Sequence, residues 1–308
     1  MNFYNVEQAA VLDPIIKRYR HPWLFFFLAT AIPWALWFTA GYLSRQVART
    51  ATIDVVILVC EFAGLLAPVV VAAVLAAKAG LVTDVVSRLT NIGQIRPSFG
   101  LFALFGLPAA LLIGTGISVL LGYSPDQFLL RGGFTFTSGI VPPWIPLALA
   151  PILEELAWHG YGTDALVSRW SVFKASMIFA VMWVLWHLPL ASIKNYYQAE
   201  IVETGWLSTL NFMVSIFPFM ILMNWIYYRC DRNIIITIVF HLAANFGNEI
   251  FNTHPDTKAI QTAILLVVSG FVLWHDRKLF FTRPQRKDTG GQSSTRSKPH
   301  SGRSHRIT

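Results

Sequence analysis

Apolar stretches of about 20 residues recur along this chain and limit it to one kind of fold. A stretch of that length with few charges can cross the hydrocarbon core of a bilayer as a helix, in which every backbone polar group is satisfied internally. The predicted spans are Trp23–Leu43, Ile53–Ala77, Leu101–Gly122, Val141–Gly162, Ala175–Ala191, Trp206–Tyr228, Ile234–Phe251 and Ala259–His275. The sequence therefore predicts an all-α, polytopic membrane protein with about eight transmembrane helices.

Basic residues are distributed unevenly between the two ends of these spans. Only five of the 24 Lys and Arg residues fall on one side: Arg45, Arg49, Arg131, Lys194 and Lys258. The other 19 lie on the side that holds both termini, and ten remain there when the tail is set aside. Because cytoplasmic segments are enriched in Lys and Arg, we expect both termini in the cytoplasm and the chain in the cell membrane. The net charge of +8 then reflects topology, and no nucleic-acid partner is expected.

Composition divides the chain into five predicted segments. They are a cytoplasmic N-terminal segment (1–21), N-terminal membrane helices (22–140), a core segment that holds the deep acids and histidines (141–250), a last membrane helix (251–276) and a basic, disordered cytoplasmic tail (277–308). The tail is rich in Ser, Gly, Arg and Lys and lacks a periodic apolar pattern, which is typical of segments that do not order themselves. Its charge favours contact with membrane lipid headgroups.

Two adjacent carboxylates, Glu154 and Glu155, lie inside an otherwise apolar stretch. A charged group near the bilayer centre costs about 2.5–3.5 kcal/mol on insertion scales, and such groups are usually functional. A rise of 1.5 Å per residue places Glu155 about 14 Å, His187 about 20 Å and His241 about 14 Å from the nearest cytoplasmic charge. Three segments therefore bring titratable groups to one level. Pro151, just before the acids, predicts a break in their helix.

The types of these residues favour hydrolysis inside the membrane. A water held between Glu154 and His187 would be activated by general base catalysis. His241 and Asn245 are four residues apart and share a helix face, so both could donate hydrogen bonds to the oxyanion of an attacked carbonyl.

Three motifs in this region resemble those of the CPBP family, the CAAX-processing and bacteriocin-processing intramembrane endopeptidases. The family motifs are EExxxR, FxxxH and HxxxN or HxxxD, in that order on separate helices. The corresponding segments here are Glu154-Glu155-Leu-Ala-Trp-His159-Gly160, Trp183-Val-Leu-Trp-His187-Leu-Pro189 and His241-Leu-Ala-Ala-Asn245. The resemblance covers about residues 140–250 and implies an active site inside a helix bundle.

This resemblance implies roles for the residues. Glu154 and His187 would activate water, while His241 and Asn245 would stabilise the oxyanion, which makes these four the candidate catalytic residues. Glu155, His159 and Trp183 would support the site.

Two positions depart from the family pattern. The phenylalanine is Trp183, a mild change, and the arginine is His159. An arginine stays charged at any ordinary pH, whereas a histidine does so only where its surroundings hold the proton.

The sequence leaves the cofactor unknown. Glu154, His187 and His241 are of the types that bind Zn²⁺, but the HExxH motif of zinc proteases is missing and no metal is demanded. The resemblance implies a protein or peptide substrate, either a prenylated CAAX tail or a bacteriocin-like peptide.

Two other functions stay open at this point. A proton-coupled transporter predicts inverted repeats and acids spread along a path, whereas the acids here form one cluster, which favours the enzyme. The second alternative is a non-catalytic membrane scaffold of the same fold, which the replacement of arginine by His159 motivates.

Overall fold

The structure, a computed structural model, describes residues 14–136 and 141–282. This part is helical and contains no β-strand, which confirms the predicted all-α fold. Its α-helices are α1 (Pro22–Ser44), α2 (Ala51–Lys78), α3 (Val82–Thr90), α4 (Pro97–Leu120), α5 (Trp144–Ala157), α6 (Thr163–Val167), α7 (Val172–His187), α8 (Tyr197–Thr204), α9 (Trp206–Arg229), α10 (Ile234–Ile250), α11 (Pro255–His275) and α12 (Arg277–Phe281). The division into five segments stays a prediction, and most of its two terminal segments lies outside the described residues.

Six helices of the described part are long and apolar enough to cross a membrane, as expected for a multi-pass membrane protein. They are α1, α2, α4, α7 together with the turn that follows it, α9 and α11. The predicted count of eight is not confirmed. The other two predicted spans correspond to α5 with its continuation into α6, and to α10, which has only 17 residues. These two stretches carry most of the polar site residues, so their apolar character is interrupted more than that of the other predicted spans.

The helix that carries the acids is interrupted after them, and not before them as the sequence predicts. α5 continues through Pro151, so Glu154 and Glu155 lie in its last turn. Trp158–Gly162 then form one π-helical turn, and α6 follows without a loop. A π turn holds an extra residue, and such turns are frequent at functional sites.

The long helices pack in a continuous order around the bundle. α1 contacts α2, α2 contacts α5, α5 contacts α10, α10 contacts α4, α4 contacts α11, α11 contacts α9, and α9 contacts α7. Aromatic side chains fill the space behind the acids. The Trp158 ring stacks on Phe26 with the two ring centroids 6.1 Å apart, and it lies 5.5 Å from the ring centroids of Phe179 and Trp186. This packing fixes the end of α5 against α1 and α7.

Contacts between connecting segments define two ends of the bundle. At the termini end, segments 14–21, 79–96, 163–171, 230–233 and 276–282 meet; Arg18 donates to the carbonyl of Ala79 at 2.8 Å. At the loop end, segments 45–50, 121–136, 188–205 and 251–254 meet; Arg45 donates to the carbonyl of Ser192 at 2.8 Å. These two names are used below.

Candidate active site

A cavity of about 880 Å³ lies between the helices and reaches the acids at the end of α5. The predicted site residues that line it are Glu154, Trp183, His187, His241 and Asn245. All four candidate catalytic residues are thus on its wall. Glu155 and His159 lie behind this wall with 0% of their surface exposed, as expected for supporting residues.

Glu154 is held by two tryptophans. Its Oε2 accepts a hydrogen bond from Trp183 Nε1 at 2.9 Å and a longer one from Trp158 Nε1 at 3.4 Å. Both bonds go to one oxygen, so Oε1 is left to a water or a substrate group in the cavity. The tryptophan that replaces the family phenylalanine therefore orients the carboxylate directly.

His187 is oriented by its own helix. Its Nδ1 donates to the carbonyl of Trp183 at 2.7 Å, and because a carbonyl can only accept, the proton must be on Nδ1. In the neutral ring Nε2 then carries the lone pair. The ring packs against Trp186 and Phe212, with centroids 5.0 and 5.4 Å away. This histidine can accept a hydrogen bond from a water in the cavity.

Glu155 links two histidines. Its Oε1 accepts from Nδ1 of His241 on α10 at 2.8 Å, and its Oε2 accepts from Nδ1 of His159, four residues along the chain. The carboxylate therefore fixes the orientation of both rings. When the His241 ring is protonated, its Nε2 also carries a hydrogen, which the cavity wall offers to a substrate oxygen.

Both ring nitrogens of His159 face acceptors. Its Nε2 lies 3.0 Å from Oδ1 of Asn224, whose Nδ2 donates to Ser176 Oγ at 2.8 Å. The Ser176 hydroxyl donates its hydrogen to the carbonyl of Val172 at 2.8 Å, so toward Asn224 it can only accept. The NH2 group of Asn224 must therefore face Ser176, and its oxygen must face His159. When the ring carries a hydrogen on both nitrogens, it donates to Glu155 and to Asn224 together and presents a positive charge to the carboxylate, as an arginine would.

The carbonyls at the π turn are capped by an arginine from a distant helix. Arg88 on α3 donates through Nη1 to the carbonyl of His159 at 2.8 Å and through Nη2 to that of Gly160 at 3.0 Å. The Tyr227 hydroxyl oxygen lies 3.2 Å from the same carbonyl of His159. Side chains thus donate hydrogen bonds to carbonyls of the turn, where the regular backbone hydrogen bonds of the helix are rearranged.

A buried ion network continues from this cap toward the termini end. Asp164 accepts from Arg232 Nη2 at 2.6 Å and lies 3.3 Å from Arg88 Nη1. Tyr227 and Tyr228 each donate to Asp164 at 3.0 Å. Burial alone would raise the pKa of Asp164, but the Arg232 and Arg88 guanidiniums outweigh it and lower that pKa.

Asn245 makes a single long hydrogen bond, from Nδ2 to the carbonyl of Leu147 at 3.4 Å. Its second amide hydrogen is available to the cavity that it lines.

The candidate zinc ligands do not form a metal site in this arrangement. Among the described residues, no three His, Cys, Asp or Glu side chains come together in a group that could hold a metal ion.

Several residues of this site are not visible in the sequence motifs. Asn224 and Arg88 contact the motif residues His159 and Gly160 from helices 65 to 72 positions away along the chain, and Ser176 in turn contacts Asn224. A lone asparagine or arginine at the edge of an apolar stretch is the only signal of them, and it does not identify a partner.

Comparison with known proteins agrees with the motifs. Residues 136–247 match the family described as type II CAAX prenyl endopeptidase Rce1-like. The chain is also 35% identical over 273 residues to CAAX prenyl protease 2 of Methanococcus maripaludis, which covers 87% of this chain and 99% of that protein. The chain therefore belongs to the Rce1-like type II CAAX prenyl endopeptidases of the CPBP protease family.

Proposed function

We propose that this protein is an intramembrane endopeptidase in which Glu154 and His187 activate the water that cuts a peptide bond. The observation that carries the proposal is the convergence of all four candidate catalytic residues, from α5, α7 and α10, on one cavity wall. The support from relatives is that both the matched family and the similar archaeal protein are named as CAAX prenyl proteases.

The attacking step uses the two free acceptor atoms. A water in the cavity donates one hydrogen to Oε1 of Glu154 and the other to Nε2 of His187. As the water oxygen bonds to the substrate carbonyl carbon, Glu154 takes its proton, and such general base catalysis contributes typically 10²–10⁴-fold. The two tryptophans keep the carboxylate aimed at the water throughout.

The oxyanion that forms on the carbonyl is stabilised by two donors. These are Nε2–H of the protonated His241 and the free amide hydrogen of Asn245; one such donor is typically worth about 10²–10³-fold. Glu154 then passes its proton to the amide nitrogen as the carbon–nitrogen bond breaks, which frees the amine. The hydrogen that remains on the new carboxylic acid passes to that amine, so a carboxylate and an ammonium group leave the site. Glu155 and His159 hold His241 in position but do not touch the substrate.

The proposed substrate is the C-terminal tail of a protein or a peptide, as in the CAAX-type activity for which the relatives are named, with bacteriocin-like peptides as the other class. A cavity of about 880 Å³ has room for a short extended segment. We place the protein in the cell membrane with both termini in the cytoplasm, because the basic residues concentrate at the termini end.

New peptide termini in membrane fractions test this function. Wild type is compared with Glu154→Ala and with His187→Ala, each at matched expression and matched elution on size exclusion. We expect a set of termini that both variants lose, and these termini name the substrates. If the wild type, well expressed, yields no termini that the variants lack, the protein is a scaffold or a transporter.

Substitutions of His159 distinguish an active catalytic site from one that has lost its activity. Replacing it by leucine leaves Glu155 with one partner and should lower turnover by about 10–100-fold, the loss typical of residues that position a reacting group. His159→Arg restores a permanent charge but not the contact with Asn224, so turnover should stay equal or fall. The measurement is the cleavage rate on a substrate identified by the terminus mapping.

His275→Leu is the matched control for this substitution, because His275 is 64% exposed and lies outside the cavity lining. Its rate should equal that of wild type. A clear gain of turnover in His159→Arg would instead indicate an enzyme weakened by the loss of arginine.

A further inference from the structure

Among the described residues that line the cavity, two carry the charge of a lysine or an arginine: Arg131 and Lys258. Arg131 lies in the connecting segment 121–136 of the loop end, and Lys258 lies in the first turn of α11. The proposed reaction uses neither of them. A cation on the wall of a cavity that takes a peptide attracts acidic groups of that peptide, and the surroundings of Arg131 favour one such group.

The backbone at Arg131 is held against the last turn of α10. The N–H of Arg131 donates to the carbonyl of Ile250 at 2.8 Å, and the N–H of Asn252 donates to the carbonyl of Leu129 at 3.0 Å. An isolated antiparallel bridge lies between these two hydrogen bonds. The position of the arginine is therefore fixed relative to the helix that carries two of the candidate catalytic residues.

The half-buried side chain of Arg131 lacks an acceptor. Its Nε is shut off from solvent, and no described residue accepts a hydrogen bond from it. Glu249, which precedes Ile250 on α10, instead accepts from the N–H and the hydroxyl of Thr135, each at 2.9 Å, and forms no ion pair with Arg131 in the described part of the chain. An unsatisfied donor in such a place is costly, so a ligand that brings an acceptor into the cavity is bound more tightly.

The distance from Arg131 to the reacting groups follows from the rise of α10. Ile250, which accepts from the Arg131 backbone, lies nine residues after His241, or about 14 Å along the helix axis. It lies five residues after Asn245, or about 8 Å. Asn248 lines the cavity between these points. Since an extended peptide advances about 3.3 Å per residue, about two to four residues connect the attacked carbonyl to the arginine.

We infer that Arg131 binds the C-terminal carboxylate of the substrate. A guanidinium is planar and offers two parallel N–H donors, which match the two oxygens of a carboxylate better than the single oxygen of a peptide carbonyl. The substrate class is a chain that ends about two to four residues after the bond that is cut. This inference rests on the proposed function for the place of the cut, but the carboxylate site itself can be tested without any cleavage.

Binding of a matched pair of peptides tests the inference. The probe is a fluorescent peptide that ends in S-farnesyl-Cys-Val-Val-Met, made once with a free carboxylate and once with a carboxamide. Both forms are titrated against Glu154→Gln in detergent, so that no general base is present to cut them. We expect the carboxylate form to bind about 10–100-fold more tightly, the range typical of hydrogen bonds to charged groups. Equal binding of the two forms, or binding of neither, would contradict the inference.

Substitutions in the same background assign this preference to a residue. With Arg131→Gln the two forms should bind equally, whereas Arg131→Lys keeps a charge and should retain part of the preference. Lys194→Gln is the matched control, because Lys194 is an exposed cation of the loop end outside the cavity lining, and the preference should be unchanged.

Two results would overturn the assignment to Arg131. One is a preference that is lost with Lys258→Gln but kept with Arg131→Gln, which would place the carboxylate at the other cation of the cavity. The second is an equal weakening of both peptide forms with Arg131→Gln, which would show that this side chain holds the fold or a lipid phosphate and does not read the end of the peptide.

The length of the tail gives an independent measurement. A third peptide carries four serines after the methionine, which moves its carboxylate about 13 Å along an extended chain. It should bind to Glu154→Gln as weakly as the carboxamide form. Binding as tight as that of the shorter carboxylate would show that the distance to Arg131 does not matter, and would contradict the inference.

Failure of this inference and failure of the proposed function give different results. A preference for the carboxylate form that depends on Arg131, together with no cleavage in the terminus mapping, refutes the protease and leaves the carboxylate site standing. Cleavage without such a preference refutes the carboxylate site and leaves the protease standing.

Discussion

Glu154→Gln should lower the rate of peptide hydrolysis by about 10²–10⁴-fold, the contribution typical of a general base. Glutamine has nearly the same shape, and its side-chain oxygen can still accept from Trp183 and Trp158. The amide cannot take a proton from water, however, so the loss should appear in kcat and not in substrate binding. The rate is measured on purified protein in detergent or liposomes with a substrate found by terminus mapping.

Glu61→Gln is the matched control. Glu61 is also a carboxylate inside a membrane helix, on α2, but it does not line the cavity. The same substitution there should leave kcat within about twofold, since the Glu61 side chain is not part of the cavity lining. Full activity in Glu154→Gln, or equal losses in the two variants, would show that Glu154 is not the base.

Asp164→Asn should destabilise the fold by about 3–5 kcal/mol, the cost typical of removing one partner of a buried charge pair. Arg232 and Arg88 would lose the carboxylate between them, and two tyrosine hydroxyls would lose an ionised acceptor. The effect should appear as a lower free energy of unfolding in detergent and a lower melting temperature.

The ion pairs of Asp164 with Arg232 and Arg88 also predict how the stability of the protein depends on pH. Because the pKa of Asp164 is lower in the folded protein than in the unfolded chain, its contribution is present above the unfolded value of about 3.9. The contribution is lost as the pH falls through the folded pKa. Asp164→Asn should therefore remove part of the acid sensitivity of wild type.

Asp54→Asn provides the comparison for this prediction. Asp54 pairs with Arg49 at the loop end, where both side chains are more than a third exposed, and such surface pairs are worth about 0–1 kcal/mol. If the two variants melt at the same temperature, the buried network does not hold the termini end together.

The sequence predicts which motif residues lie close together, but it predicts the course of their helix less well. Counting residues from the nearest cytoplasmic charge brings Glu155, His187 and His241 to one depth in the membrane. In the structure His187 and His241 line the cavity, and Glu155 lies directly behind its wall. This works because a straight helix converts residue number into depth. The break expected at Pro151 is wrong, since α5 continues through the proline where it packs against α2 and α10.

Partners from distant helices could not be predicted. The double hydrogen bonding of His159 depends on Asn224, and the capping of its carbonyl depends on Arg88. Neither contact leaves a spacing that can be read along one helix, since each joins segments more than 60 residues apart. The effect of having His159 in place of the family arginine can therefore be judged only from the packed helices.

Asn224 also ends a path along which protons can move inside the protein. A continuous hydrogen-bonded path leads from the cavity through His241, Glu155 and His159 to this amide. Carboxylates and imidazoles can pass a proton along by exchanging bonds, but an amide keeps its two hydrogens on nitrogen and only accepts at oxygen. Proton hopping along this path therefore stops at Asn224, so this series of hydrogen bonds does not carry protons from the cavity beyond the amide.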